Sequence, residues 1–171
     1  RAFALMAYGG AGPAHAASYA AEAGVREVII PYFATVHSAY GAARSDVRFS
    51  LQFSEPLVLP TPPERLEAIY QTMETEGAKR LAEADVPPAR RRFERWVEAR
   101  FRRQVHHLRV PIAASIDAAA IATLTQLFES EYERLFGKGA ALRDAGIELV
   151  NYGVDAIGTV MKTAAQTDAA G

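Results

Sequence analysis

At 171 residues the chain is long enough for one domain, or two small ones, around a buried core. Half of its residues are apolar and under a quarter are charged, the balance of an ordinary soluble globular protein, and a net charge of −1 gives no bulk attraction to nucleic acid or to an anionic membrane. Cysteine is absent, which excludes disulfides and thiolate metal sites and agrees with a cytoplasmic location.

The chain opens on Arg1, an apolar stretch Ala2–Ala7, and then Ala14-His15-Ala16, which has the outline of a short secretory signal. Its apolar stretch is only about six residues long before Gly9-Gly10 interrupts it, short of the ~7–15 of a signal core. No apolar run approaches the ~20 residues that span a bilayer. With no initiator Met and strand-forming residues from the outset, the chain reads as a fragment, a processed chain or a piece of a split subunit.

Phe3–Tyr8 is a nearly continuous apolar run, the pattern of a strand buried on both faces. Gly9-Gly10-Ala11-Gly12-Pro13 then turns the chain into an Ala-rich helix over His15–Ala23, with Pro13 suited to its first turn and Gly24 to its carboxy-terminal cap. Val28-Ile29-Ile30 forms a second strand stopped by Pro31, His37–Ala43 a short helix, and Val47–Phe53 an alternating strand. Strand, glycine turn, helix and strand make an α/β element. Pro56, Pro60, Pro62 and Pro63 crowd the next stretch, which predicts a linker over residues 56–63 between a unit of residues 1–55 and one of residues 64–171.

Beyond the prolines a long helix is expected over Glu64–Ala84, with Leu66, Ile69, Tyr70, Met73, Ala78 and Leu81 as its apolar stripe. Arg92–Arg103 alternates as a strand with Phe93, Arg95, Val97, Ala99 and Phe101 on one face and Glu94, Trp96, Glu98 and Arg100 on the other. Leu108–Pro111 follows as a short strand. A second amphipathic helix covers Asp117–Phe136, capped by Asp117 or Ser115, with Ile121, Leu124, Leu127, Phe128 and Leu135 on one stripe and Gly137 and Gly139 ending it. Ile147–Val160 reads as a long last strand, so the second unit is expected to be an antiparallel α+β layer, followed by a polar tail after Lys162.

The glycine turn is the feature closest to chemistry. A strand leading into Gly9, Gly10 and Gly12 and then a helix lets backbone amides approach a ligand, and Pro13 and His15 sit in that helix's first turn. It is not a Walker A loop, since no Lys-Ser/Thr follows, nor a Rossmann fingerprint, since His15 falls where a third glycine belongs. Both a ligand loop and a plain strand-to-helix connection satisfy the pattern. His15 is either a hydrogen-bond donor to phosphate, ribose or carbonyl oxygen or an ordinary surface or packed histidine; His37, beginning a short helix, is either ligand-facing or a helix cap. His106 and His107 are adjacent and point apart in a strand, and no carboxylate stands at a diagnostic spacing, so no metal site is expected. Arg90, Arg91, Arg92, Arg95, Arg100, Arg102 and Arg103 interleave with Phe93, Trp96 and Phe101, but Glu94, Glu98 and the acidic helix dilute them, which favours a salt-bridged sheet face or subunit contact over nucleic-acid binding. No nucleophile elbow, catalytic triad or paired-carboxylate signature is present.

Phe3 through Ala17, with the strand, Gly9-Gly10-Ala11-Gly12-Pro13, one residue and His15-Ala16, closely resembles a stretch of the hydantoinase A/5-oxoprolinase family. The likeness runs on through Val28–Pro31, Ser38-Ala39-Tyr40-Gly41 and Asp46-Val47-Arg48. It resumes at Arg100–Gln104, Leu108–Pro111 and Tyr132–Gly137. Two positions depart from the pattern: Arg103 stands where the family has glycine, and His107 where a Glu precedes the next strand. Both are in keeping with a divergent branch such as the acetone and acetophenone carboxylases.

The resemblance implies an α/β element of an actin-like (ribonuclease H-like) ATPase fold followed by an α+β carboxy-terminal domain. It further implies ATP-driven phosphorylation of a lactam, cyclic imide or ketone oxygen for ring opening or carboxylation. Gly9, Gly10, Gly12, Pro13 and His15 would line the nucleotide pocket, while the first phosphate loop and the acidic residues for Mg²⁺ would come from an amino-terminal half outside this sequence. Expected partners are that missing portion, or a companion chain, and a hydantoinase B-like subunit, with neither nucleic acid nor membrane. The isolated chain is expected to be inactive. A non-catalytic assembly module of a hetero-oligomer is the alternative.

Overall fold

A computed structural model of the chain describes residues 3–161. Its residues fall into two compact units, one ending at Ser45 and the other spanning Asp46–Thr159.

The first unit is a small α/β element. Strand β1 (Ala4–Met6) leads through the glycine turn into helix α1 (Gly12–Ala23), and β2 (Glu27–Ile29) returns to pair with β1 in parallel, Leu5 opposite Val28. Gly24 ends α1 in the left-handed conformation expected of it, with φ of 63°. A single 3-10 turn (Ala34–Val36) and helix α2 (His37–Ala43) complete the unit. The continuous apolar patterning of the two strands is that of a sheet covered on both faces, yet Phe3, Met6, Tyr8, Val28, Ile29 and Ile30 are all exposed. Among the described residues the sheet has two strands, and two strands do not cover themselves.

The second unit is an antiparallel four-stranded sheet with two helices. Strand β3 (Val47–Val58), helix α3 (Pro63–Glu83), strands β4 (Arg91–Phe101) and β5 (Leu108–Pro111), helix α4 (Ala118–Phe136) and strand β6 (Ile147–Gly158) follow in that order. The sheet runs β3-β6-β4-β5. Registers such as Leu51 with Val154, Arg95 with Val154 and Val97 with Tyr152 put one residue set on the helix-covered face. Leu66, Tyr70 and Met73 of α3 and Leu124, Phe128 and Tyr132 of α4 pack there against Val97, Ala99, Phe101, Val110, Leu149, Tyr152 and Val154. No helix of the described residues is long and apolar enough to cross a membrane.

The unit boundary differs from the expected one. β3 does not stop at Phe53; it runs to Val58 and pairs with β6 along its length, so the break comes between Ser45 and Asp46 and residues 46–55 belong to the second unit. The proline stretch is an internal connection from β3 to α3 rather than a linker between units. Pro56 is tolerated in the strand because β3 lies at a sheet edge and the register shifts between Ser54 and Leu57, where no ladder hydrogen bond is demanded of it. Pro63 occupies the first turn of α3, where its missing N–H costs nothing.

Helix faces were legible to within one position. In α3 the buried set is Leu66, Tyr70, Met73, Gly77 and Leu81, with Gly77 in place of Ala78 because a Cβ at 77 would come within 2.7 Å of Ala156 Cβ. In α4 Tyr132 is buried and Leu135 is exposed, since Tyr132 continues the 124–128 stripe onto Phe101. Asp117 is the cap of α4, accepting from Ala120 N–H at 2.7 Å. The polar tail lies outside the described residues.

Candidate functional site

The glycine turn begins where β1 ends. Gly9 and Gly10 take left-handed φ values of 78° and 44°, so the bend is one that side-chain-bearing residues rarely adopt. Among the described residues, nothing beyond the immediate chain neighbours lies within 4 Å of a Cβ added at Gly9, Gly10 or Gly12, which leaves open space around the loop. Its amides divide into two groups. Gly9 N–H donates to Ala34 O at 2.7 Å, Gly12 N–H to Gly9 O at 2.9 Å and Ala14 N–H to Ala11 O at 3.1 Å. Among the described residues the consecutive amides of Gly10 and Ala11 have no hydrogen-bond partner. The loop is therefore partly stitched into its own unit and partly left with two adjacent donors.

Side-chain contacts hold the loop in place. Tyr19, two turns into α1, donates its hydroxyl to Gly12 O at 2.9 Å. Tyr8 lies against the imidazole of His37, ring centroids 4.8 Å apart and planes 54° apart. Phe33 stacks on Tyr40 at 5.1 Å and Arg44 lies over Tyr40, firming the segment that carries His37. Pro13 and His15 are in the first turn of α1 as expected, and His15 is exposed. His37 makes no side-chain cap; the residue preceding α2 is Val36, and His37 is the helix's first residue. Tyr8 and Tyr19 were not singled out from the sequence, because the only advance signals were an aromatic directly before the first glycine and another seven residues after Gly12.

The remaining candidates have structural partners. His106 and His107 lie in the β4–β5 connection, not in a strand: His106 stacks on Phe136, whereas His107 Nε2 is 3.2 Å from Glu98 Oε2. Glu98 also accepts from Asn151 Nδ2 at 2.6 Å and from Arg109 at 3.4 Å, and Arg109 lies 3.5 Å over the Trp96 ring. Among the described residues no three His, Asp or Glu gather so as to hold a metal ion.

The arginine-rich strand is largely tied up in ion pairs. Arg92 pairs with Glu94 and Arg100 with Glu148. Arg95, whose side chain is 4% exposed, binds Glu67 and Glu74 of α3 with contacts of 2.6–3.0 Å and lies over Tyr70. Those hydrogen bonds, led by that of Glu74, raise the Arg95 pKa against the opposing effect of burial. The Arg95 hydrogen bond in turn holds the Glu67 carboxyl below its ordinary range. Glu67 also accepts from Ile116 N–H at 3.2 Å, so one part-buried cluster joins sheet, α3 and the approach to α4.

Comparisons with known proteins cover both units. The family model described as hydantoinase/oxoprolinase matches residues 1–51, and that of the hydantoinase/oxoprolinase C-terminal domain matches residues 61–169. The chain is 28% identical over 155 residues to the acetone carboxylase beta subunit of Xanthobacter autotrophicus, covering 84% of this chain and 22% of that protein. It is 28% identical over 156 residues to the caprolactamase subunit alpha of Pseudomonas jessenii, covering 88% and 22%. Among solved structures, nucleotide-free acetone carboxylase superposes with a TM-score of 0.76 at 25% identity over 92% of this chain and 24% of its own. The ATP-dependent caprolactamase of Pseudomonas jessenii superposes with a TM-score of 0.72 at 26% identity over 94% and 24%. The chain thus spans roughly a fifth to a quarter of these relatives.

Proposed function

The chain belongs to the hydantoinase/oxoprolinase family, and we propose on that premise that it is the carboxy-terminal part of an ATP-dependent subunit. That subunit phosphorylates a lactam, cyclic imide or ketone oxygen for ring opening or carboxylation. The reading is carried by one observation: the two family models cover both units of the chain in order, and the solved relatives are described as ATP-dependent.

Gly9, Gly10, Gly12, Pro13 and His15 line one wall of the nucleotide site. The free amides of Gly10 and Ala11 supply two donors to a phosphate oxygen, and the amino-terminal end of α1 adds a favourable dipole. His15, exposed in the first turn of α1, is a further donor. Bound ATP supplies the phosphoryl group that turns a poorly reactive carbonyl oxygen into an activated one. The loop holds and orients the nucleotide; it does not neutralise the charge that phosphoryl transfer develops, which requires Mg²⁺ and acidic ligands. Those belong to the rest of the subunit. The first unit is accordingly a piece of an actin-like, ribonuclease H-like nucleotide domain, the second the family's carboxy-terminal domain, and the subunit works in the cytoplasm with a hydantoinase B-like partner.

The inward hydrogen bonds of Gly9 and Gly12 favour a second reading, in which the loop is only a tight connection and the chain serves assembly. MgATP titration of the complete subunit separates the two. Gly10→Val keeps its N–H but is strained at a φ of 44° and so displaces the donor, whereas His15→Ala deletes one. Loss of a hydrogen bond to a charged group predicts about tenfold or more weaker binding in each. Unchanged affinity in both, with the fold retained, favours the assembly module.

A further inference from the structure

We infer that His37 is a positioning residue for the Gly9–Pro13 loop, acting through the ring of Tyr8; this rests on the nucleotide reading above. The loop's two free donors, Gly10 and Ala11, stand immediately after two residues that are each anchored. Gly9 N–H is bonded to Ala34 O, and Tyr8, one residue earlier, is packed on His37. Ala34 and His37 belong to one short stretch of chain, the 3-10 turn and the first residue of α2, so both anchors move together. That stretch is itself firmed by the Phe33–Tyr40 stack. Only a few backbone bonds separate Tyr8 from the Gly10 and Ala11 amides, and the two glycines have no Cβ to restrict their own φ, so the bend depends on its anchors. His37 has no competing duty: it caps no helix, and the Tyr8 ring is its one ring partner among the described residues. Its ring therefore fixes where the donors stand before ligand arrives, and such preorganisation is what a two-amide site needs to bind tightly.

The contact is between rings, so the ring and not the imidazole chemistry is what counts. MgATP affinity is measured in the complete subunit for wild type, His37→Ala, His37→Phe and Tyr8→Leu, with Gly10→Val as reference. Loss of an aromatic pair sets the expected weakening at about three- to tenfold in His37→Ala and in Tyr8→Leu. His37→Phe, which keeps a ring against Tyr8, should stay within about twofold of wild type on the same basis. Tyr8→Leu removes the same contact from the other side and decides the matter if His37→Ala does not fold. Unchanged affinity in His37→Ala and Tyr8→Leu beside a weakened Gly10→Val overturns the inference and leaves the nucleotide reading standing. A His37→Phe as weak as His37→Ala also overturns it, because the imidazole then acts directly. Unchanged affinity in all variants, Gly10→Val included, removes the nucleotide reading and this inference with it.

Discussion

Arg103 is the third residue of the turn after β4, closed by a hydrogen bond from Gln104 N–H to Phe101 O at 3.0 Å, and its φ is 68°. A residue with a Cβ is strained in that conformation, and glycine is not. The departure from the family pattern at this position is thus a local conformational cost, not a change of chemistry. Arg103→Gly is expected to stabilise the chain by about 0.5–1 kcal/mol in urea denaturation; equal or lower stability would count against the turn geometry. Gly153 is the opposite case. A Cβ there would sit 2.0 Å from the Trp96 ring, which is pressed between β6 and the Arg109 guanidinium. Gly153→Ala forces a buried indole to move and should cost at least about 1–3 kcal/mol. A melting temperature equal to wild type would contradict that packing. Neither reason was legible in advance: sequence marks Arg103 as standing where the family has glycine and Gly153 as a glycine in a strand, whereas the reasons lie in a φ angle and in a ring from a neighbouring strand.

Between elements, the Arg95 cluster decides how α3 sits on the sheet. Sequence alternation correctly puts Arg95 on the face of Val97 and Phe101, but it offers no account of a charge there; Glu67 and Glu74, one turn either side of Tyr70, are that account. Removing the cation leaves two part-exposed carboxylates without their partner on the sheet, so Arg95→Ala should destabilise by about 1–3 kcal/mol. Glu67 gives the pH dependence. Its folded pKa is lowered, chiefly by the Arg95 hydrogen bond. Its contribution is therefore fully present above the unfolded carboxyl value, about 4.3, and is lost as pH falls through the lower folded value. The stability gap between wild type and Glu67→Gln should narrow on acidification from about pH 7 into that range, measured by chemical denaturation; a gap that widens there contradicts the ion pair. The elements themselves were readable where a period and a cap coincide, as in α1 with Gly24 and α4 with Asp117. They were not readable in β3, where Pro56 reads as a breaker until the strand is known to lie at an edge.

At the scale of the whole molecule, the chain carries a small α/β unit and an α+β unit that together span roughly a fifth to a quarter of related proteins. The apolar exposure of β1 and β2 fits a unit that completes its sheet with other chain segments. The isolated 171 residues should accordingly show no ATP hydrolysis dependent on added lactam or ketone; such turnover by the chain alone would show that the acidic and metal-binding groups are not needed from elsewhere. The family was legible in the order and spacing of several short segments. The division of the loop's amides into bonded and free was not, because it depends on Ala34 returning to Gly9 across a turn. Amide hydrogen exchange at Gly10 and Ala11 in the complete subunit, with and without MgATP, tests the account most directly. Both amides should exchange freely without nucleotide and become protected when it binds; bound nucleotide with no change at either amide would contradict it.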